Sequence, residues 1–211
     1  LCFSDLCTAT MIFSTVLALG ALALPLGVRG NGGFGLWEVC LVGGLAFSKA
    51  FVDFSSSGLE VALSYLLFAL FLDRLRKKEG ATYSVRIFLL FGCIFLNRMD
   101  TILILVPILI RTFLLHPKNT SFRMAPTLVL VMGWFLFATI YFGFPLPNTF
   151  YAKLNSGYPF QEYLERAQDY YFVQLNYDPI TLLYIAVGIT AGFISRDKEQ
   201  QCLSLGILLY L

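Results

Sequence analysis

A succession of apolar runs, each closed by a short polar turn, leaves this chain almost no way to fold in water. The runs fall at about 8–28, 36–52, 58–73, 84–97, 101–115, 124–143 and 179–195, with another starting near 201. Hydrophobic residues make up 58% of the chain against 13% charged, and mean hydropathy is +0.75, the balance of polytopic membrane proteins. Inside a bilayer every backbone amide and carbonyl must be paired within its own segment, so runs of this kind form helices. The expected fold class is all-α: a polytopic membrane helix bundle of about seven to eight spans. Several runs fall short of the roughly 20 residues that cross a typical hydrocarbon core, so their ends are set only to within a few residues.

Charge orients the bundle. Alternate connections hold Arg29, then Arg74, Arg76, Lys77, Lys78 and Arg86, then Arg111, Lys118 and Arg123, then Arg196 and Lys198: eleven of the fifteen basic residues. By the positive-inside rule that set is cytoplasmic. The opposite set keeps only Lys49, Arg98, Lys153 and Arg166 but eight of the thirteen acids, Asp5, Asp53, Glu60, Asp100, Glu162, Glu165, Asp169 and Asp178. The acidic face is therefore the outer one of an integral membrane protein.

The longest connection, about 144–178, lies on that outer face. Between about 158 and 174 it has helical periodicity, with Phe160, Tyr163, Leu164, Ala167, Tyr170 and Tyr171 on one side and Glu162, Glu165, Arg166 and Asp169 on the other. This predicts an amphipathic helix at the interface, where tyrosines are stable with one end apolar and the other wet. An ordinary membrane-surface helix without substrate contact has the same pattern. No repeat or low-complexity linker divides the chain, so residues 1–211 read as one transmembrane domain. The chain opens Leu1-Cys2-Phe3 and stops inside the apolar Gly206–Leu211, so it is expected to be a piece of a longer protein cut at both ends.

The five cysteines are scattered through apolar runs without Cys-x-x-Cys spacing, as small buried hydrophobes rather than ligands or a disulfide framework. The single histidine, His116, sits beside Pro117 and Lys118 in a connection, which excludes a Ser-His relay or a His-based metal site within these residues. A net charge of +2 with no basic stripe interleaved with aromatics excludes nucleic acid as a partner.

Chemistry concentrates at three outer turns. In the first, Asp53 precedes Ser57-Gly58-Leu59-Glu60, which matches a capping box: Ser57 would accept from the Glu60 amide while the Glu60 side chain reaches back. In the second, Asn97-Arg98-Met99-Asp100 stands before a span of the same direction, so Asp100 would cap that helix, or pair locally with Arg98. Two outward-facing helix N-termini plus Arg98 form a plausible anion site. Ionisable groups near a span are functional candidates by default, since a charge at the core costs roughly 2.5–3.5 kcal/mol even on lenient scales. In the third, Pro145 and Pro147 stop a helix, Asn148 and Thr149 form a turn, and Lys153 brings a second cation to the same face.

The order Asp53-x-x-x-Ser57-Gly-x-Glu60, Arg98-x-Asp100 and Pro147-Asn-Thr-x-x-Ala-Lys153, followed by a Tyr-rich outer helix, resembles the GT-C fold membrane glycosyltransferases. Within them it is most similar to the branch of the mycobacterial terminal arabinofuranosyltransferase and its flagellar motor control protein relatives. The resemblance covers roughly residues 40–195, with Met99 where the family carries proline. It implies transfer of a sugar, with inversion, from a polyprenyl-phosphate donor to a glycan or glycolipid acceptor on the outer face, without metal or other cofactor. Arg98 and Lys153 would hold the donor phosphate, and Ser57, Asp100, Asn148 and Tyr151 would contact substrate. The main catalytic base would lie upstream of residue 1, with Asp53 and Glu60 as secondary candidates. Two other classes stay open: a transporter or flippase with these charges along its path, and an envelope or flagellar assembly protein in which they only cap helices.

Overall fold

The computed structural model describes residues 3–27, 36–77, 83–147, 150–151 and 159–211. The helices are α1 (Phe3–Gly27), α2 (Leu36–Phe47), α3 (Lys49–Ser55), α4 (Val61–Arg76), α5 (Val85–Asn97), α6 (Ile102–Leu115), α7 (Pro117–Phe142), α8 (Phe160–Tyr177), α9 (Pro179–Ile194) and α10 (Lys198–Tyr210), with a 3₁₀ turn at Met99–Thr101. No strand occurs among the described residues, and the all-α class stands.

The helices alternate in direction. Asn97 bonds back to Glu60, Tyr210 to Asp100, and Ala50 to Asp178, all at one end. At the other end Arg123 Nη1 donates to the Tyr83 carbonyl at 2.8 Å. The acidic turns thus share one end and the basic connections the other. Between them Phe71, Leu75, Ile87, Phe88, Phe91, Ile94, Leu105 and Ile108 form a core where α4, α5 and α6 meet. Glycine permits close helix approach at several places, Gly206 and Gly44 among them. A Cβ on Gly206 of α10 would stand within 2.8 Å of the Ile104 backbone of α6, and one on Gly44 of α2 would enter the Tyr184 ring of α9.

Much of the remaining apolar surface is uncovered. On α7, Val129, Ile140 and Tyr141 stand open, Ile140 at 77% exposure. A bilayer covers such a surface without help from protein. The same reasoning corrects the expectation that the cysteines are buried: Cys7 and Cys40 are exposed on apolar helices, and Cys93 and Cys202 are half-buried.

By length and composition the described residues contain two helices fit to cross a membrane, in α1 and α7, or three if α8 and α9 count as one bent span. The seven to eight expected spans are not met by that measure. The cause is helix length: α5 has 13 residues, α6 has 14 and α10 has 13, which at about 1.5 Å per residue fall short of a core of about 30 Å. Two further boundaries differ from expectation. The run 36–52 is broken at Ser48, whose hydroxyl accepts from Phe51 N and starts α3. The span read as 124–143 begins at Pro117, because proline at the first helical position costs no hydrogen bond and lets the helix take in Lys118 and Arg123.

A helix does form where one was expected at about 158–174: α8 runs Phe160–Tyr177. It meets α9 at 106°. Asp178 supplies the corner, since a residue before proline is pushed out of helical geometry and its side chain is free to cap α9.

Candidate functional site

The turn between α5 and α6 carries the densest polar chemistry at the acidic end. Arg98 lies in extended backbone between the two helices, and its guanidinium grips Asp100 through two bonds, Nε to Oδ1 at 3.2 Å and Nη2 to Oδ2 at 2.6 Å. The Tyr210 hydroxyl, from the end of α10, donates to the same Asp100 Oδ2 at 3.2 Å. Partial desolvation works against ionisation of Asp100. The hydrogen bonds and charge of Arg98, the Tyr210 hydroxyl and a backbone amide outweigh it and hold the carboxyl below the usual carboxylate range. In turn the Asp100 carboxylate raises the Arg98 guanidinium, with Glu60 close enough to add to the effect. Among the described residues Nη1 of Arg98 has no protein partner, so one edge of the fork remains for an anion.

The local ion pair anticipated for Arg98 and Asp100 is therefore formed. Asp100 does not cap α6, because its carboxylate is engaged by Arg98 and Tyr210. Thr101 is the capping position and makes no side-chain cap.

Neighbouring α4 is tied to this turn by Asn97 Nδ2, which donates to the Glu60 carbonyl at 3.2 Å and to Ser64 Oγ at 2.8 Å. The N-terminus of α4 thus opens toward the end of the bundle that holds Arg98. The capping box expected of Ser57 and Glu60 is not formed. Gly58 takes a left-handed conformation (φ 74°) that reverses the chain, so Ser57 accepts from Leu59 N instead and α4 starts only after Glu60. Asp53 is exposed on α3, and no hydrogen bond or ion pair joins it to Arg98 or Asp100.

Beside the Arg98 turn a cleft of about 560 Å³ opens between α3, α8, α9 and the ends of α6 and α10. Asp100, Tyr170, Tyr171, Gln174 and Tyr210 provide its polar lining, and Phe54, Leu103, Leu182 and Ile185 its apolar one. Tyr171 is fixed by a 2.6 Å bond from its hydroxyl to the Leu211 carbonyl. One wall of the cleft rests on Asp178, only 4% exposed. Its Oδ2 accepts from Ala50 N at 2.8 Å and from the Thr181 hydroxyl at 2.7 Å, while Oδ1 accepts from Thr181 N at 3.1 Å. One carboxylate thereby closes the N-termini of both α3 and α9. Burial opposes its ionisation, but the Thr181 hydroxyl and the amides of Ala50, Thr181 and Lys49 together hold its carboxyl below the ordinary range.

Tyr151 sits elsewhere, its ring against Phe144 and Phe150 beyond the end of α7. Asn148 and Lys153 lie outside the described residues. Tyr210 and Gln174 were not singled out by sequence, and Asn97 was read only as part of the turn that ends at Asp100. The signal available for Tyr210 was its place: a tyrosine closing an apolar run at the end where alternation puts Asp100. No group of three or more His, Cys, Asp or Glu gathers among the described residues. Comparison of the chain with protein-family models, curated proteins and solved structures finds no match.

Proposed function

We propose that this chain belongs to a membrane glycosyltransferase of the GT-C type. It would move a sugar from a polyprenyl-phosphate donor to a glycan or glycolipid on the outer face of a bacterial inner membrane. The observation that carries the reading is Arg98, paired to an Asp100 that Tyr210 also bonds, with one guanidinium edge open, beside a cleft whose lining passes from tyrosines to aliphatic side chains. An amphiphile with a phosphate head and a prenyl tail has that same polarity. In this reading the shorter apolar helices complete a bundle of seven to eight spans with α1 and α7, and α8 lies in the headgroup layer.

The reaction is a displacement at the anomeric carbon. The acceptor hydroxyl oxygen forms the new bond as the bond to the donor phosphate oxygen breaks, and a carboxylate takes the hydroxyl proton. Negative charge grows on the departing phosphate, where Arg98, with Lys153 as second cation, stabilises it more than in the ground state. Asp100 and Tyr210 hold Arg98 in place, and Ser57, Asn148 and Tyr151 contact donor or acceptor. Asp53 and Glu60 are secondary candidates for the base. Transport is the weaker reading, because the charged groups sit at helix ends, whereas transport sites sit near the bilayer midplane.

The test is sugar transfer from radiolabelled polyprenyl-phosphate donors in membranes that carry the protein. Arg98→Ala is expected to lower transfer by about 10²-fold, roughly 2.7 kcal/mol of transition-state stabilisation. A variant as active as wild type would refute the phosphate assignment, and no transfer from any donor would refute the reaction.

A further inference from the structure

The phosphate assignment leaves one wall of the cleft beside the Arg98 turn without a role. That wall is a helical stripe of α8: Ala167, Tyr170, Tyr171 and Gln174 line the cleft, while Glu162, Glu165, Arg166 and Asp169 of the same helix do not. Asp100 is the single charged side chain in the lining among the described residues, and its carboxylate already receives Arg98, Tyr210 and a backbone amide. Arg98 holds it from outside the lining. A ligand in the cleft therefore meets a saturated carboxylate and uncharged polar groups.

Those uncharged groups are open. The side chains of Tyr170 and Gln174 make no hydrogen bond among the described residues, and the amide of the half-buried Gln174 stays accessible to solvent. The Tyr170 ring stands across the Tyr171 ring, with centroids 5.8 Å apart and planes at 78°, and Tyr171 is itself tied to the Leu211 carbonyl. Tyr170 is thus braced by its neighbour and still 65% exposed.

We infer that Tyr170 and Gln174 hold the sugar of the polyprenyl-phosphate donor, and that the site takes a neutral sugar in preference to a uronate. The inference rests on the glycosyltransferase reading and names what the polar end of its cleft selects. A sugar is bonded directly to the phosphate it leaves, and Asp100, which touches Arg98 and lines the cleft, puts the two positions side by side. The C–H face of the sugar packs on the Tyr170 ring, and hydroxyls at its edge exchange hydrogen bonds with the Gln174 amide, which both donates and accepts. A uronate carboxylate finds no cation in the lining and meets Asp100 as a like charge. A prenyl chain in this place would leave the amide and the phenol unpaired, so the chain belongs against Leu103, Leu182 and Ile185.

Isothermal titration of the detergent-solubilised protein with synthetic polyprenyl phosphodiesters tests it. The ligands share the prenyl chain and one phosphate charge, and carry a methyl group, a neutral hexose or pentose from a panel, or glucuronate. Wild type is expected to hold at least one neutral glycosyl ligand roughly tenfold more tightly than the methyl ligand, the scale of an aromatic contact plus a hydrogen bond, and glucuronate no more tightly than methyl. Tyr170→Ala and Gln174→Ala should each remove most of that gain and leave the methyl ligand's affinity unchanged. Phe172→Ala, at an exposed position of α8 outside the cleft, should keep the gain. A gain that no neutral sugar shows, that glucuronate shares, or that survives either substitution overturns the sugar subsite alone. A methyl ligand that fails to bind, or that binds Arg98→Ala as tightly as wild type, refutes the phosphate assignment and this inference with it.

Discussion

Replacing Asp178 by alanine is expected to be among the most damaging single changes at the acidic end. The substitution strips the cap from α9 and the cross-helix bond to Ala50 N, and leaves the amides of Ala50 and Thr181 unsatisfied in a site that water scarcely reaches. Loss of a cap costs about 1 kcal/mol, and a hydrogen bond to a charged group about 1.5–3 kcal/mol. With the Thr181 hydroxyl able to turn to Ser48, its other partner, the sum is about 3 kcal/mol. Asp178→Asn keeps an acceptor for one amide and should cost about half as much. Because the folded-state carboxyl is held below its ordinary value, the stabilisation is complete above the unfolded pKa of about 3.9 and disappears as pH falls through the lower folded value. Unfolding in mixed micelles followed by circular dichroism, at pH 7 and on acidification, reads both effects. Asp169→Ala, at an exposed position on α8, is the control. If Asp178→Ala unfolds within about 0.5 kcal/mol of that control, the size of an ordinary surface substitution, the carboxylate is not holding α3 to α9.

The same geometry sets other outcomes. Gly206→Ala puts a Cβ 1.9 Å from the Ile104 carbonyl oxygen, so α6 and α10 must separate at a cost of about 1–3 kcal/mol in the same unfolding assay. Gly133→Ala, with nothing within 4 Å, should be neutral or slightly stabilising. Gly44→Ala should destabilise through the Tyr184 ring, and addition of Tyr184→Ala should recover part of the loss, a coupling that a double-mutant cycle detects. Tyr210→Phe removes one bond to Asp100 and leaves the Arg98 pair, so sugar transfer should fall only about fivefold, well short of Arg98→Ala.

What could be read from sequence was whatever local chemistry decides. The turn at 97–101 and the stop at Asp178-Pro179 are punctuated by their own residues, and the amphipathic helix by its 3.6-residue period. The Arg98–Asp100 pair spans two residues, and its formation needed no knowledge of the fold. What could not be read depends on partners far along the chain. Ser48 interrupts an apolar run with nothing nearby to announce a break, and the break persists because Asp178, 128 residues from Ala50, satisfies the amide it exposes. The capping box failed for a local reason of a different kind. Its pattern was present, but Gly58 turned the backbone left-handed and moved the helix start past Glu60. Fewer helices reach spanning length than the apolar runs implied, because a run includes the turns that flank it, while a helix ends where its hydrogen bonds do.

The bond from Tyr210 to Asp100 joins residues 110 apart, and that separation is also an interval of time. At synthesis rates of about 5–20 residues per second, Asp100 emerges on the order of 5–20 s before its tyrosine exists. During that interval the Arg98 turn has its own ion pair and the Asn97 bonds to α4, and the cleft beside it lacks α8, α9 and α10. In the proposed reading an amphiphile cannot meet a finished site on a half-made chain, so binding competence should appear abruptly with α10 rather than grow with length.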